Sequence, residues 1–152
     1  SCMFVSVMME KPTEIQYHVQ HLDELPDLAK HFLEEYGRYK VVAFDAPMGS
    51  GKTTFINALL TAMGIHELEG SPTYSLVNVY TSPMFGKVYH MDVYRLKNEV
   101  EAMDFGVEEM LYGGKICFIE WPEKIENLLP EHTIWVYIRK NEDDTRTFTV
   151  KL

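Results

Sequence analysis

Positive charge is scarce in this chain. Its 152 residues carry 14 Lys and Arg against 23 Asp and Glu, for a net charge of −9, and the pI is near 5.1. Broad non-specific binding to DNA or RNA displaces counterions with many basic side chains. That class is excluded as the principal function and DNA is not an expected partner, while a small basic patch, or RNA contact made through a partner, stays compatible. Cysteine is scarce as well, with Cys2 and Cys117 alone. Cys2 falls in a tail and Cys117 in an apolar stretch that reads as a buried strand. No disulfide framework is expected, and the chain suits a reducing cytoplasm. Long hydrophobic runs are missing too. Met3-Phe4-Val5-Ser6-Val7-Met8-Met9 is apolar, but it lacks the charged flank and length of a signal peptide and is far too short to span a bilayer. It reads as a flexible leader, residues 1–12, ahead of a single domain over 13–152. No membrane partner is expected.

Further absences narrow the chemistry. There is no Asn-Lys-x-Asp guanine motif, which weakens a GTPase reading. No Arg-rich insertion of the kind that forms a kinase lid is visible. His18, His21 and His31 are joined by no carboxylate or cysteine at ligand spacing, so they read as solvent-facing rather than metal-binding. Repeats and low-complexity tracts are absent.

What is present is an ordinary globular composition, 46% hydrophobic and 24% charged. A chain of this length is most simply one domain and buries roughly 70% of its unfolded surface. Within it, Ala46-Pro47-Met48-Gly49-Ser50-Gly51-Lys52-Thr53-Thr54 stands between an apolar run, Val41 to Phe44, and a helical pattern, Phe55 to Leu60. Strand, glycine loop with Gly-Lys-Thr, then helix is the plan of a phosphate-binding P-loop. Backbone N–H groups and the helix N-terminus converge on an anion. Lys52 supplies a charge for the phosphates and Thr53 a hydroxyl for Mg²⁺. The strict pattern begins with glycine, where this chain has Ala46; alanine is costly there only if the position needs φ > 0.

The rest reads as follows. Ile15 to Val19 alternates, as a half-exposed strand does. Leu25, Leu28, Ala29, Phe32 and Leu33 keep helical spacing, with a cap near Asp23 and a stop at Gly37. Gly64 closes the helix after the loop. Leu76 to Tyr80 and Val88 to Leu96 read as strands, antiparallel across a break at Pro83 and Gly86. Asn98 to Met103 and Val107 to Leu111 read as short helices, the second stopped by Gly113-Gly114. Lys115 to Ile119 is a continuous apolar strand ended by Pro122, and a short helix covers Lys124 to Leu128. Thr133 to Ile138 and Thr145 to Lys151 form a terminal hairpin. This predicts an α/β, P-loop NTPase-like mixed sheet flanked by helices, with antiparallel strands toward the C-terminus.

A phosphate loop holds triphosphate; hydrolysing it also needs a metal, a carboxylate and an oriented water. Asp92 and Glu120 each end an apolar strand, where P-loop sheets face the nucleotide. The plainer alternative is a surface ion pair for each, Asp92 with Arg95. Asp45 precedes the loop and reads as a backbone partner. Ser71-Pro72-Thr73 is placed like a switch loop that reaches the metal or γ-phosphate, or else is a proline turn. Trp121 either covers the phosphates, stacks on a partner, or fills the core. Tyr74, Tyr80, Tyr89 and Tyr94 read as packing residues.

Four pieces taken together resemble the TsaE (YjeE) family of small bacterial ATPases: Pro47 to Thr54, Ser71 to Asn78, His90-Met91-Asp92-Val93-Tyr94-Arg95-Leu96, and Ile119-Glu120-Trp121-Pro122. The resemblance covers about residues 15 to 140. It implies a cytoplasmic, Mg²⁺-dependent ATPase that turns ATP into ADP. Its job would be helping form threonylcarbamoyladenosine at position 37 of tRNAs reading ANN codons, with TsaD and TsaB as partners and tRNA touched only indirectly. By the same resemblance, Met48, Gly49, Ser50, Gly51, Lys52, Thr53 and Thr54 bind nucleotide. Thr53, Asp92 and Glu120 hold the metal, and Glu120, Asp92 and Lys52 are catalytic. Ser71, Thr73, Arg95 and Trp121 sense nucleotide or partner. Family members begin the loop with Gly-Asp/Glu-Leu-Gly-Ala-Gly-Lys-Thr, so an acidic role at position 47 is lost with Pro47. A nucleotide-gated adaptor without essential hydrolysis and a small-molecule kinase stay open as alternatives.

Overall fold

The structure is a computed structural model that describes residues 13–72 and 75–152. The expected leader with Cys2, and Thr73 and Tyr74, lie outside the described residues. In chain order the elements are β1 (Glu14–Val19), a 3-10 turn (Leu22–Glu24), α1 (Leu25–Tyr36), β2 (Val41–Asp45) and α2 (Lys52–Ala62). Then come β3 (Val77–Ser82), β4 (Gly86–Asp92), α3 (Glu99–Asp104), α4 (Val107–Leu111), β5 (Ile116–Glu120), a 3-10 segment (Pro122–Leu128), β6 (Ile134–Lys140) and β7 (Arg146–Lys151). Among the described residues no helix is long and apolar enough to cross a membrane.

The seven strands form one sheet in the order β1-β7-β6-β2-β5-β4-β3. β2 pairs in parallel with β5 and β6, and β5 in parallel with β4. β2 and β5 therefore sit mid-sheet, and their unbroken apolar runs follow: a parallel strand covered on both faces has no side free for polar residues. The antiparallel pairs are β3 with β4, β6 with β7, and β7 with β1. Antiparallel pairs thus close both edges, with β3 and β4 at one and the C-terminal hairpin joined by β1 at the other.

Alternation along the strands sorts the core into two layers. Val42, Phe44, Phe118, Val136 and Phe148 face α1 and α2, where they meet Phe32, Phe55, Leu59 and Leu60. Val41, Met91, Cys117 and Ile119 face Ala102, Val107, Leu111 and Ile125 on the opposite side. Cys117 is fully buried, and burial pushes its thiol up to about 12.

Several boundaries differ from expectation for local reasons. β4 stops at Asp92 instead of running to Leu96, because the Asp92 carboxylate accepts the Tyr94 N–H at 3.0 Å and turns the chain. The 3-10 turn precedes α1, with the Glu24 carboxylate accepting the His21 N–H at 2.6 Å, so Asp23 does not cap α1. Gly37 ends α1 at φ −63, without a left-handed cap. Gly64 does close α2 left-handed, at φ 86, with Ile65 N–H bonded back to Leu60 C=O.

Phe55 binds the first layer to the helix that carries Lys52 and Thr53. Its ring meets Phe32, Phe44 and Phe148 edge-on, with centroids 4.9 to 6.2 Å apart. Phe55→Ala is expected to cost about 3–5 kcal/mol in denaturant unfolding; a loss below about 1 kcal/mol would mean this layer is not the core.

Candidate functional site

Parallel register sets the site. Phe44 pairs with Glu120, and Asp92 pairs with Glu120, so the ends of β2, β5 and β4 lie level. The glycine loop leaves β2 at that level and returns as the N-terminus of α2. Gly49 and Gly51 take φ 78 and 97, and Gly51 caps the helix. Trp121 and Asp144 are the non-glycine residues at positive φ among the described residues, so Ala46 has no need of glycine's freedom. Its side chain instead packs into the core at 5% exposure. Pro47 C=O accepts from both Ser50 N–H, at 3.3 Å, and Ser50 Oγ, at 2.6 Å, which closes the loop's turn.

Side chains from distant parts of the chain meet at Glu120, which is 2% exposed. Oε1 accepts from Thr53 Oγ1 at 3.3 Å and lies 3.9 Å from Lys52 Nζ. Oε2 accepts from Ser71 Oγ at 2.8 Å and lies 2.6 Å from His90 Nε2. Thr53 and Ser71 hydroxyls are also 3.1 Å apart. Lys52 Nζ donates to Ala46 C=O at 3.4 Å and stands 4.2 Å above the Trp121 ring. Trp121 itself is left-handed, φ 61 and ψ 48. For a bulky side chain that conformation costs about 1–2 kcal/mol. Tyr94 packs on its indole with centroids 4.9 Å apart. The ring therefore covers Lys52.

Lys52, Thr53, Ser71, Glu120 and Trp121 line a cleft of about 420 Å³ together with Pro47, Met48, Gly49, Gly51, Thr54, Asp92, Leu22 and Arg146. Of the residues the sequence singled out, Lys52, Thr53, Ser71, Asp92, Glu120 and Trp121 come together. Met48 stands exposed at the rim. Ser50 faces inward to Pro47. Arg95 lies away from this cleft, on a neighbouring cavity. Thr73 is outside the described residues. His18, His21 and His31 are exposed, and no cluster of three or more His, Cys, Asp or Glu that could hold a metal occurs among the described residues.

Sequence reading missed three participants. His90 is buried beside Glu120; strand alternation from Asp92 could have placed it on this face. Arg146 Nε donates to Ser50 C=O at 2.8 Å from 96 positions away, a distance at which no local pattern speaks. Leu22 comes from the turn before α1.

The electrostatics of the two carboxyls diverge. Burial pushes Glu120 up, but hydrogen bonds from His90 and Ser71 and the nearby Lys52 charge outweigh it and hold the carboxyl below its usual range. Asp92 is raised, chiefly by burial and also by the Glu120 charge. The donors facing the cleft, Thr53 Oγ1, Ser71 Oγ and these two carboxyls, are all oxygen. That set fits Mg²⁺, a hard cation that takes one or two carboxylates and completes its shell with phosphate and water.

Opposite shifts give opposite pH signatures. Glu120's depressed value contributes stability that is complete above its unfolded pKa and is lost as pH falls through the folded one. Asp92's raised value favours the fold at low pH and opposes it once pH exceeds the folded value. Glu120→Gln should therefore flatten the loss of stability between about pH 5 and pH 3, and Asp92→Asn should raise stability at neutral pH. Chemical denaturation across pH 3–8 checks both; acid limbs identical to the parent would show neither shift exists.

The chain matches the family model described as "Threonylcarbamoyl adenosine biosynthesis protein TsaE" over residues 19–148. It is 39% identical over 110 residues to the tRNA threonylcarbamoyladenosine biosynthesis protein TsaE of Treponema pallidum, covering 72% of this chain and 80% of that one. With the protein of the same name from Bacillus subtilis it shares 35% over 109 residues, 72% of this chain and 67% of that one. Its fold is similar to the crystal structure of Bacillus subtilis YdiB, with a TM-score of 0.74 and 24% identity over 93% of this chain and 87% of that one. On the family match and these identities, the chain belongs to the TsaE family.

Proposed function

We propose that this protein is a cytoplasmic, Mg²⁺-dependent subunit that binds and slowly hydrolyses ATP. Its task would be forming threonylcarbamoyladenosine at position 37 of tRNAs reading ANN codons, in company with TsaD and TsaB. One observation carries the reading. Lys52, Thr53 and Glu120 converge where the glycine loop turns into α2, so a cation, a hydroxyl and an ionised carboxylate surround one helix N-terminus. Relatives named for the tRNA modification support the cellular role.

ATP would lay its phosphates along residues 48–54, against the backbone N–H groups and the dipole of α2. Lys52 would leave Glu120 and the indole for the phosphates. Thr53, Glu120 and Asp92 would hold Mg²⁺, which when bound neutralises phosphate charge. Glu120 would also accept a hydrogen bond from the attacking water. Leu22 and Arg146, on the cleft wall, extend the site beyond the phosphates. Among the described residues, Lys52 and Arg146 are the cations lining the cleft, and Arg146 is engaged with backbone carbonyls of Ser50 and Asp144. A cation brought by a partner adds on the order of 10³–10⁵ in rate in related chemistry, so turnover should be slow alone and faster with TsaD and TsaB. The acidic surface suits a subunit that leaves tRNA to those partners.

A second cavity of about 870 Å³ shares Met48, Ser71, Asp92 and Trp121 with the cleft. It keeps the small-molecule kinase alternative in view, and phosphate transfer to a nucleoside or sugar would favour that alternative.

Lys52→Ala removes a charge-assisted contact of about 1.5–3 kcal/mol, so ATP affinity measured by calorimetry should fall at least tenfold. Unchanged affinity would take Lys52 out of the site. Glu120→Gln should keep ATP binding measured in EDTA and lose most hydrolysis; equal loss of both would recast Glu120 as structural. Full tRNA modification by Glu120→Gln without hydrolysis would identify a nucleotide-gated adaptor instead.

A further inference from the structure

Glu120 has partners of two kinds. Lys52, Thr53 and Ser71 all line the cleft, so each can exchange its bond to Glu120 for one to an incoming ligand. His90 does not line it. It sits at 0% exposure within β4, between β3 and β5, with Nε2 2.6 Å from Glu120 Oε2. An ionised carboxylate only accepts, so Nε2 carries the proton of this bond. The other ring nitrogen, Nδ1, is buried with no hydrogen-bond partner among the described residues. Among those residues, the bond to Glu120 is the polar contact this ring is held in the sheet to make.

We propose that His90 is a positioning residue, which fixes Oε2 of Glu120 from the sheet side so that Oε1 stays aimed at Lys52 and Thr53 when the cleft fills. Glutamate has three side-chain torsions. Once Thr53, Ser71 and Lys52 turn to a ligand, His90 is the partner left to hold them. The inference rests on the ATPase reading and adds a residue to it. Loss of a partner that orients a metal-binding group from behind typically costs about 10–100-fold in metal affinity or activity.

The test compares His90→Leu, which keeps volume and loses the donor, with His90→Gln, whose amide N–H can reach the same oxygen. ATP affinity is measured by calorimetry in EDTA and in excess Mg²⁺, alongside kcat, KM and thermal melting. His90→Leu should match the parent in EDTA, and should lose about tenfold or more of both the Mg²⁺-dependent gain in affinity and kcat. His90→Gln should recover most of both. Parent-like Mg²⁺ gain and kcat in His90→Leu, or a folded His90→Gln as impaired as His90→Leu, overturns the proposal. If His90→Leu does not fold, His90→Asn, too short to reach Oε2, replaces it. A parent protein that binds Mg²⁺ and ATP but never hydrolyses sinks the functional reading alone and leaves the affinity comparison to decide on His90. A parent with no Mg²⁺ gain sinks the proposal.

Discussion

A carboxylate buried in protein must be surrounded by donors or lose its charge. Glu120, 2% exposed, is the point where this chain meets that demand. Its two oxygens take a hydroxyl from α2, a hydroxyl from the segment after it, an imidazole from β4 and the proximity of an ammonium. Lys52 and Thr53 are neighbours at the start of α2, whereas Ser71 and His90 come from separate parts of the chain, so the carboxylate ties together the glycine loop, the segment after α2 and the sheet. The cluster is built from hydroxyls, an imidazole and an ammonium around one buried negative charge.

The sheet order explains why such a cluster can form. β2 lies between β5 and β6, and β4 lies beyond β5. Parallel neighbours end on the same side, so the glycine loop, Glu120 and Asp92 emerge together without any long connection reaching across. The antiparallel strands are confined to the edges and contribute differently. β7 sends Arg146 back over the glycine loop, where it bonds Ser50 C=O and would crowd any side chain placed at Gly51, its Nε lying 3.3 Å from an added Cβ.

Much of this was legible in the residues. The apolar runs of β2 and β5 marked buried parallel strands, the glycine loop marked its own turn, and the carboxylates at strand ends lie level beside it. Ser71 was legible only as a motif; its bond to Glu120 is a tertiary fact. His90 escaped because a histidine inside an apolar strand carries no local sign of a partner 30 positions on. Arg146 escaped because its meaning depends on which edge β7 occupies. The concern over Ala46 came from reading the loop as a pattern. Its negative φ and buried methyl show that the turn is carried by Gly49 and Gly51. β4 was read too long because Val93 and Leu96 continue its apolar residues, whereas the Asp92 carboxylate ends the strand by capturing the Tyr94 N–H.

Trp121 borders both the cleft and the larger cavity beside it. Its indole is a party wall, resting on Lys52 from one side and on Tyr94 from the other. A group that draws the ammonium off the ring bares one face of that wall, and a group that wedges against Tyr94 presses on the other. The two hollows therefore share this indole as part of their common wall, set on a backbone in an unfavoured conformation. A ligand in either one that displaced the ring would change the room left in its neighbour.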